Sequence, residues 1–414
     1  MVKRCEKCGA VIPDEAIFCP ECGFKNQPIQ VEKTVKKKSK KPWIIVLCLI
    51  CIVIAAVFLI NKFINHGSED KNGEKNDRSI LYDNTIYFIK NRTLYKSNED
   101  GTKQKLLKKL PHDLMGDGGD GYDNLMVYKD RLYAIRWTDY SLDSEYYIFS
   151  IALDGTDYKK EVTLPRIEGS EGEKYTANIR DFSIVDDYIY FTYCLYDDAA
   201  DGSYCTVYKQ KIGTTKNTQT KYERQEEPEL SGKYAYYVKS NDDSETSELV
   251  RMDVETGKEE EYYSGQSINT GFGNMAISKQ KLIFSKNPDI LWMNLKDKKD
   301  FVERKVTPDI EEDVVILNAN EKEVFYKVDG SIYKMNLDTQ ESQELISTED
   351  IQNNMGVEIK KVELLGDTMA IYGYLDEYES DEFIIFIEEK EEMSYEDYES
   401  LIQKKIKQCQ QGGK

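Results

Sequence analysis

Between residues 80 and 390, short apolar runs alternate with polar turns, and the alternation recurs as a unit. The first copy reads Ile86-Tyr-Phe-Ile89, then Thr93-Leu-Tyr-Lys96, then Asp100-Gly-Thr102. The second reads Arg131-Leu-Tyr-Ala-Ile135, Tyr147-Ile-Phe-Ser150 and Asp154-Gly-Thr156. Further copies begin at Tyr188, Tyr234, Lys281 and Glu323. A seventh, weaker and cut short, sets Met369-Ala-Ile-Tyr372 beside Phe383-Ile-Ile-Phe386. Successive copies are spaced by about 40 to 57 residues, the repeat length of a β-propeller blade.

Alternation at period two predicts half-buried strands. Each unit predicts a small antiparallel sheet of three strands whose faces only its neighbours can bury. The 30 tyrosines suit sheet-on-sheet packing, with the ring buried and the hydroxyl reaching an edge. The expected fold is mainly β: a propeller of seven blades over 80–390, or of six if the first or last hairpin is shared at the closure. A series of separate β-sandwiches would not keep so regular a spacing. Beyond the repeats, Tyr395, Tyr398, Ile402, Ile406 and Cys409 recur at helical spacing. Ser394 and Asp397 have the spacing of a capping box, and Gly412-Gly413 ends the pattern. These signals predict a helix over 394–411 that packs on the propeller.

One apolar run has neither period. Trp43–Ile60 holds eighteen residues without a charge, about 27 Å as a helix, and predicts one transmembrane helix over 43–61. A buried core helix or a signal-peptide core are the alternatives; forty-two residues precede the run, which argues against a cleaved signal. Lys33, Lys36, Lys37, Lys38, Lys40 and Lys41 crowd the segment 27–42, whereas only Lys62 closely follows the run. This asymmetry places the N-terminus in the cytoplasm and the C-terminal part outside, with the lipid bilayer as the first partner. The same lysines read as a nucleic-acid patch have no advantage over that explanation. Residues 62–79 are polar and read as a linker. Residues 1–42 carry a net charge of +5 and residues 62–414 one of −25, so nucleic acid is not an expected partner of the outer domain.

The N-terminal 26 residues hold Cys5-Glu-Lys-Cys8-Gly9 and Cys19-Pro-Glu-Cys22-Gly23. Two such knuckles direct four thiolates at one ion, so Cys5, Cys8, Cys19 and Cys22 are the expected ligands of a structural zinc in a small ribbon over 1–26. Paired thiols of this kind persist in a reducing compartment.

The hydrophobic-Tyr-(Phe/Tyr), Leu-Tyr-Lys and Asp-Gly-Thr sequences resemble the uncharacterised bacterial propeller domains related to the YWTD propellers of lipoprotein receptors. Such domains often follow an N-terminal zinc ribbon and one membrane helix. Trp137-Thr138-Asp139 is the one W-T-D match. The resemblance implies an architecture and no reaction.

Candidate chemistry elsewhere is sparse. His112 stands in a loop-like Leu-Pro-His-Asp, and neither a G-x-S-x-G elbow nor a sialidase-type box occurs. Asp117, Asp120 and Asp123, in Gly116-Asp-Gly-Gly-Asp-Gly-Tyr-Asp123, are candidate calcium ligands; a flexible inter-blade loop is the other reading. Cys194 and Cys205 stand at mirrored positions if Ala199-Ala200 tops a hairpin, and are either disulfide-bonded or two independent buried thiols. The expected function is non-catalytic: binding, sensing or scaffolding at the cell envelope with a protein or glycan ligand. The alternatives are a surface enzyme acting on envelope glycan at the propeller mouth, and a ribbon contacting nucleic acid or a transcription partner in the cytosol.

Overall fold

The computed structural model describes residues 3–25 apart from 14–16, and residues 78–412 apart from short connections between strands. The apolar run at 43–61 and its flanking segments, from residue 26 to residue 77, lie outside the described residues. Among the described residues no helix is long and apolar enough to cross a membrane. The chain divides into two compact units, Met1–Glu69 and Asp70–Lys414.

The larger unit is a seven-bladed propeller. Its antiparallel sheets cover 79–109, 120–163, 182–224, 229–266, 275–305, 315–347 and 358–388, here called blades 1 to 7. Blades 1 to 6 have four strands each, paired in sequence order, and blade 7 has three. The six-bladed alternative falls away because the innermost strand of blade 1, Ser79–Tyr82, lies against that of blade 7, Glu358–Leu365, rather than sharing a sheet with it. A separate two-stranded hairpin, Ile167–Glu168 with Lys174–Tyr175, stands between blades 2 and 3.

The apolar pairs visible in the sequence are the second and third strands of each blade. The expected three-stranded unit is corrected to four strands because the innermost one escapes the pattern. Phe182–Val185, Glu229–Ser231 and Met275–Ile277 are three or four residues long, too short to display a period. Ser79 also begins the first strand one residue inside the expected linker.

Side-chain alternation builds the core between blades rather than within them. In the third strand of blade 7, Phe383, Ile385 and Ile387 join the cluster shared with blade 6, while Ile384 and Phe386 join Ile86 and Phe88 of blade 1. Two-residue turns join the first and second strands at Asp83-Asn84, Lys129-Asp130 and Asp186-Asp187, all with positive φ, as the twist of a tight hairpin requires.

Two helices complete the unit. α1, Thr348–Met355, fills the space between blades 6 and 7 and has no counterpart in the sequence pattern. Ser347 caps it by accepting the Asp350 N–H, and Gly356 ends it at φ 65°. α2, Tyr395–Gly412, begins with a reciprocal capping box, Asp397 N to Ser394 Oγ at 3.3 Å and Ser394 N to Asp397 Oδ2 at 3.1 Å. Tyr398, Ile402 and Ile406 are fully buried against blades 6 and 7, so α2 packs where blade 7 has no fourth strand.

Candidate metal centre and ligand face

The ribbon is organised by two knuckles of the same build. Cys5 N–H donates to Ala10 O at 2.8 Å and Gly9 N–H to Cys5 O at 2.9 Å; Cys19 with Phe24 and Gly23 with Cys19 repeat these bonds at 2.8 and 2.9 Å. Gly9 and Gly23 take φ of 76° and 70°, and a side chain there would meet no atom within 4 Å, so backbone conformation alone explains them. The turns bring all four sulfurs within 4.8 Å of one another. Cys5 Sγ lies 3.6 Å from Cys22 Sγ, and Cys8 Sγ 3.6 Å from Cys19 Sγ. Sulfurs held tetrahedrally at about 2.3 Å from one zinc stand about 3.8 Å apart, so the set fits the ion. Burial raises the Cys5 thiol pKa, but the N–H groups of Cys8 and Lys7 and the hydrogen bonds of Cys22 and Cys8 bring it to about 7. Against the pull of the Ala10 N–H, the neighbouring sulfurs push the Cys8 thiol up to about 12, so in the absence of an ion the crowded thiols cannot all ionise together.

Cys194 and Cys205 are directly opposed in the central hairpin of blade 3, whose register continues to Asp197 and Gly202. Both N–H and C=O of Cys194 bond Asn178, at 2.9 and 2.8 Å, on the opposite side. The cysteines therefore form a non-hydrogen-bonded pair, with Cα atoms 4.1 Å apart, and their sulfurs are joined. Both are buried in the core between blades 3 and 4.

The three aspartates are placed differently. Asp117 lies outside the described residues, as does the side chain of Asp120. The loop expected through residue 123 gives way at Asp120 to the innermost strand of blade 2, Asp120–Tyr128. Its register is continuous from Asp120 to Asp123, so these positions fall on opposite faces. The Asp123 carboxylate accepts the Trp137 indole N–H at 2.5 Å. Burial raises its pKa, against the opposing pull of Arg78. His112 is also outside the described residues.

Sequence reasoning missed the carboxylates that staple the innermost strands. Glu363 of blade 7, fully buried, accepts Arg78 N–H at 3.0 Å, Ser79 N–H at 3.1 Å and the Ser79 hydroxyl at 2.6 Å. Asp181 accepts the Leu230 N–H of blade 4 at 2.6 Å, the Phe182 N–H at 2.7 Å and the Asn124 amide of blade 2 at 3.2 Å. Each satisfies backbone donors on the channel-side edge of an inner strand that no neighbouring strand can pair. The available signal was one acid inside an apolar run, as in Val362-Glu363-Leu364.

The innermost strands all begin at one face of the ring. On that face stand Glu382 paired with Arg78, then Asp123, then Arg180 within 3.9 Å of Glu227, an alternation of sign across blades 7, 1, 2, 3 and 4. The connections between consecutive blades start and end on this face, together with two-residue turns such as Asn91-Arg92, whose Asn91 N–H donates to Glu382 at 2.8 Å. Loop-rich faces on rigid scaffolds are where binding groups gather.

Residues 4–26 match the family model of a zinc-ribbon domain. A comparison with curated proteins finds no match. Among solved structures, the chain is similar to TolB from Acinetobacter baumannii at 13% identity, over 63% of this chain and 66% of that one, with a TM-score of 0.33. It is similar to an acylaminoacyl peptidase of Pyrococcus horikoshii at 13% identity, over 81% of this chain, with a TM-score of 0.46; it spans only 54% of that peptidase. An uncharacterized protein of Listeria monocytogenes EGD-e matches at 10% identity, over 78% of this chain and 97% of that one, with a TM-score of 0.40. Residues 4–26 are thus a zinc-ribbon domain whose four cysteines are clustered for a structural zinc.

Proposed function

We propose that this chain is a single-pass membrane protein, with its zinc ribbon in the cytoplasm and its propeller outside, where the propeller binds a protein or glycan ligand of the cell envelope. The observation that carries this reading is a contrast in cysteine chemistry. The N-terminal unit gathers four free thiols around one point, and the C-terminal unit holds a disulfide. Thiolate zinc sites and structural disulfides belong to compartments of opposite redox poise. The apolar run that separates them, Trp43–Ile60, has the length of a bilayer core.

The loop-rich face with its alternating charges is the proposed ligand face. The propeller is read as a binding domain because its two most buried staple carboxylates, Glu363 and Asp181, already accept backbone N–H groups and are not positioned to exchange protons with a substrate. Protease added to intact cells tests the arrangement. It should remove residues 62–414 and spare the ribbon, and cleavage of the ribbon first would refute it.

A further inference from the structure

The ribbon carries large apolar side chains that its own fold leaves uncovered. Of the seven large hydrophobic side chains exposed among the described residues, four belong to it: Val11 at 58%, Ile17 at 53%, Phe18 at 56% and Phe24 at 36% exposure. Its small core, Cys5, Ile12 and Cys19, leaves no room for them.

The two knuckles also pair these side chains with cations in the same way. Arg4 is the cross-strand partner of Val11, and Lys25 that of Phe18. The Lys25 ammonium lies 5.8 Å from the centre of the Phe18 ring. Each knuckle therefore sets one apolar residue opposite one basic residue, with the Arg4 guanidinium donating to Gly9 O at 3.4 Å. Lysine, the cation beside the Phe18 ring, is depleted from protein interfaces. At an anionic lipid surface both halves of the pair are used: rings and aliphatic groups enter the headgroup boundary while the cations meet phosphates.

The chain keeps such a surface within reach. Only the sixteen residues 27–42 separate the ribbon from the apolar run, a span of at most about 60 Å, and six of them are lysines. An acidic amphipathic peptide would share the chemistry but not this enforced proximity. We propose that the ribbon docks on the anionic lipid surface of the cytoplasmic leaflet through Val11, Ile17, Phe18 and Phe24, flanked by Arg4 and Lys25. This inference rests on the membrane-anchored reading above.

The test uses the full-length, zinc-loaded protein in lipid nanodiscs of phosphatidylcholine alone or mixed with phosphatidylglycerol, with hydrogen exchange followed in residues 10–25. Each cation at an anionic surface favours association by roughly fivefold, so exchange in the mixed discs should slow by at least about tenfold. The effect should fade in high salt. It should be lost in Phe18→Ser/Lys25→Glu, and weakened in Ile17→Ser, with zinc content unchanged in both. Disc-embedded protein whose ribbon exchanges equally fast in both lipids would overturn the docking surface and leave the anchoring intact. Protein that fails to enter the discs would overturn the anchoring and the docking together.

Discussion

Glu363 and Ser79 stand 284 residues apart in sequence and are joined by two hydrogen bonds, from the serine hydroxyl at 2.6 Å and from its backbone N–H at 3.1 Å. With the Arg78 N–H at 3.0 Å, they tie the last blade to the first. Among the described residues no strand is exchanged between these two blades, so the ring is closed by side chains: this carboxylate, the Arg78–Glu382 ion pair, the Thr368 hydroxyl donating to Glu99 O at 2.7 Å, and the apolar contact of Phe88 with Phe386.

Glu363→Ala should therefore strand backbone donors in a dry site and destabilise the propeller by roughly 2–4 kcal/mol. Glu363→Gln keeps one acceptor oxygen and should cost about half as much. Urea unfolding of the unit from Asp70 to Lys414 measures both, and equal stability of the alanine variant and the parent would show that the closure lies elsewhere.

The Asp-Gly-Thr turn of blade 1 serves the same closure, and that of blade 2 the next interface, where Gly155 lies against Leu107 of blade 1. In blades 1 and 2, the aspartate accepts the threonine N–H at 2.9 Å and its hydroxyl at 2.6 Å, at Asp100 and again at Asp154. The middle residue of the first, Gly101, has φ of 75°, and a Cβ on it would lie 2.3 Å from the Phe386 Cβ of blade 7. Gly330 has φ of 69° with nothing within 4 Å, which separates the two costs. Gly330→Ala should cost about 1 kcal/mol for conformation alone, and Gly101→Ala about 1–3 kcal/mol more for overlap. Thermal unfolding of the two variants checks the difference; equal losses would mean that the contact with Phe386 yields freely.

The interface of blades 3 and 4 predicts a pH dependence. Burial raises the Glu255 pKa, but Lys209 at 2.6 Å and Tyr190 at 2.7 Å more than offset it. Arg224 at 2.7 Å holds Glu259 down despite burial. A carboxylate whose folded pKa is depressed stabilises the fold above its unfolded value, near 4.3, and loses that contribution as pH falls through the folded value. The urea midpoint should accordingly drop between about pH 5 and pH 3, and less steeply in Glu255→Gln. A midpoint unchanged over that interval in the parent would contradict the assigned pairs.

Much of this architecture was legible in the sequence because strand two of each blade, and strand three of most, is buried on both faces and reads as an aromatic or aliphatic run. Tyr188–Asp197 and Gly202–Lys211 even show their register, since positions 194 and 205 mirror each other about the turn. The inner strands stayed hidden because they are short: Phe182 pairs with Phe191 and Leu230 with Ala235 across the next turn, but three or four residues display no period. α1 was hidden for a similar reason: only Ile351 of its eight residues is buried, which leaves almost no periodic signal. The zinc ligands needed only spacing, whereas Glu363 and Asp181 take their roles from N–H groups that no local pattern reveals.

The proposed topology sets a reduced, zinc-binding ribbon and a disulfide-bonded propeller on opposite sides of a membrane, and its test is to treat intact cells with a membrane-impermeant alkylating agent, lyse them without reductant and map the cysteines by mass spectrometry. The expected result is a peptide pair linked through Cys194 and Cys205, with Cys5, Cys8, Cys19 and Cys22 unmodified from outside and reactive only after lysis and zinc chelation. Free thiols at Cys194 and Cys205 in the folded protein, or ribbon cysteines that react from outside, would contradict it.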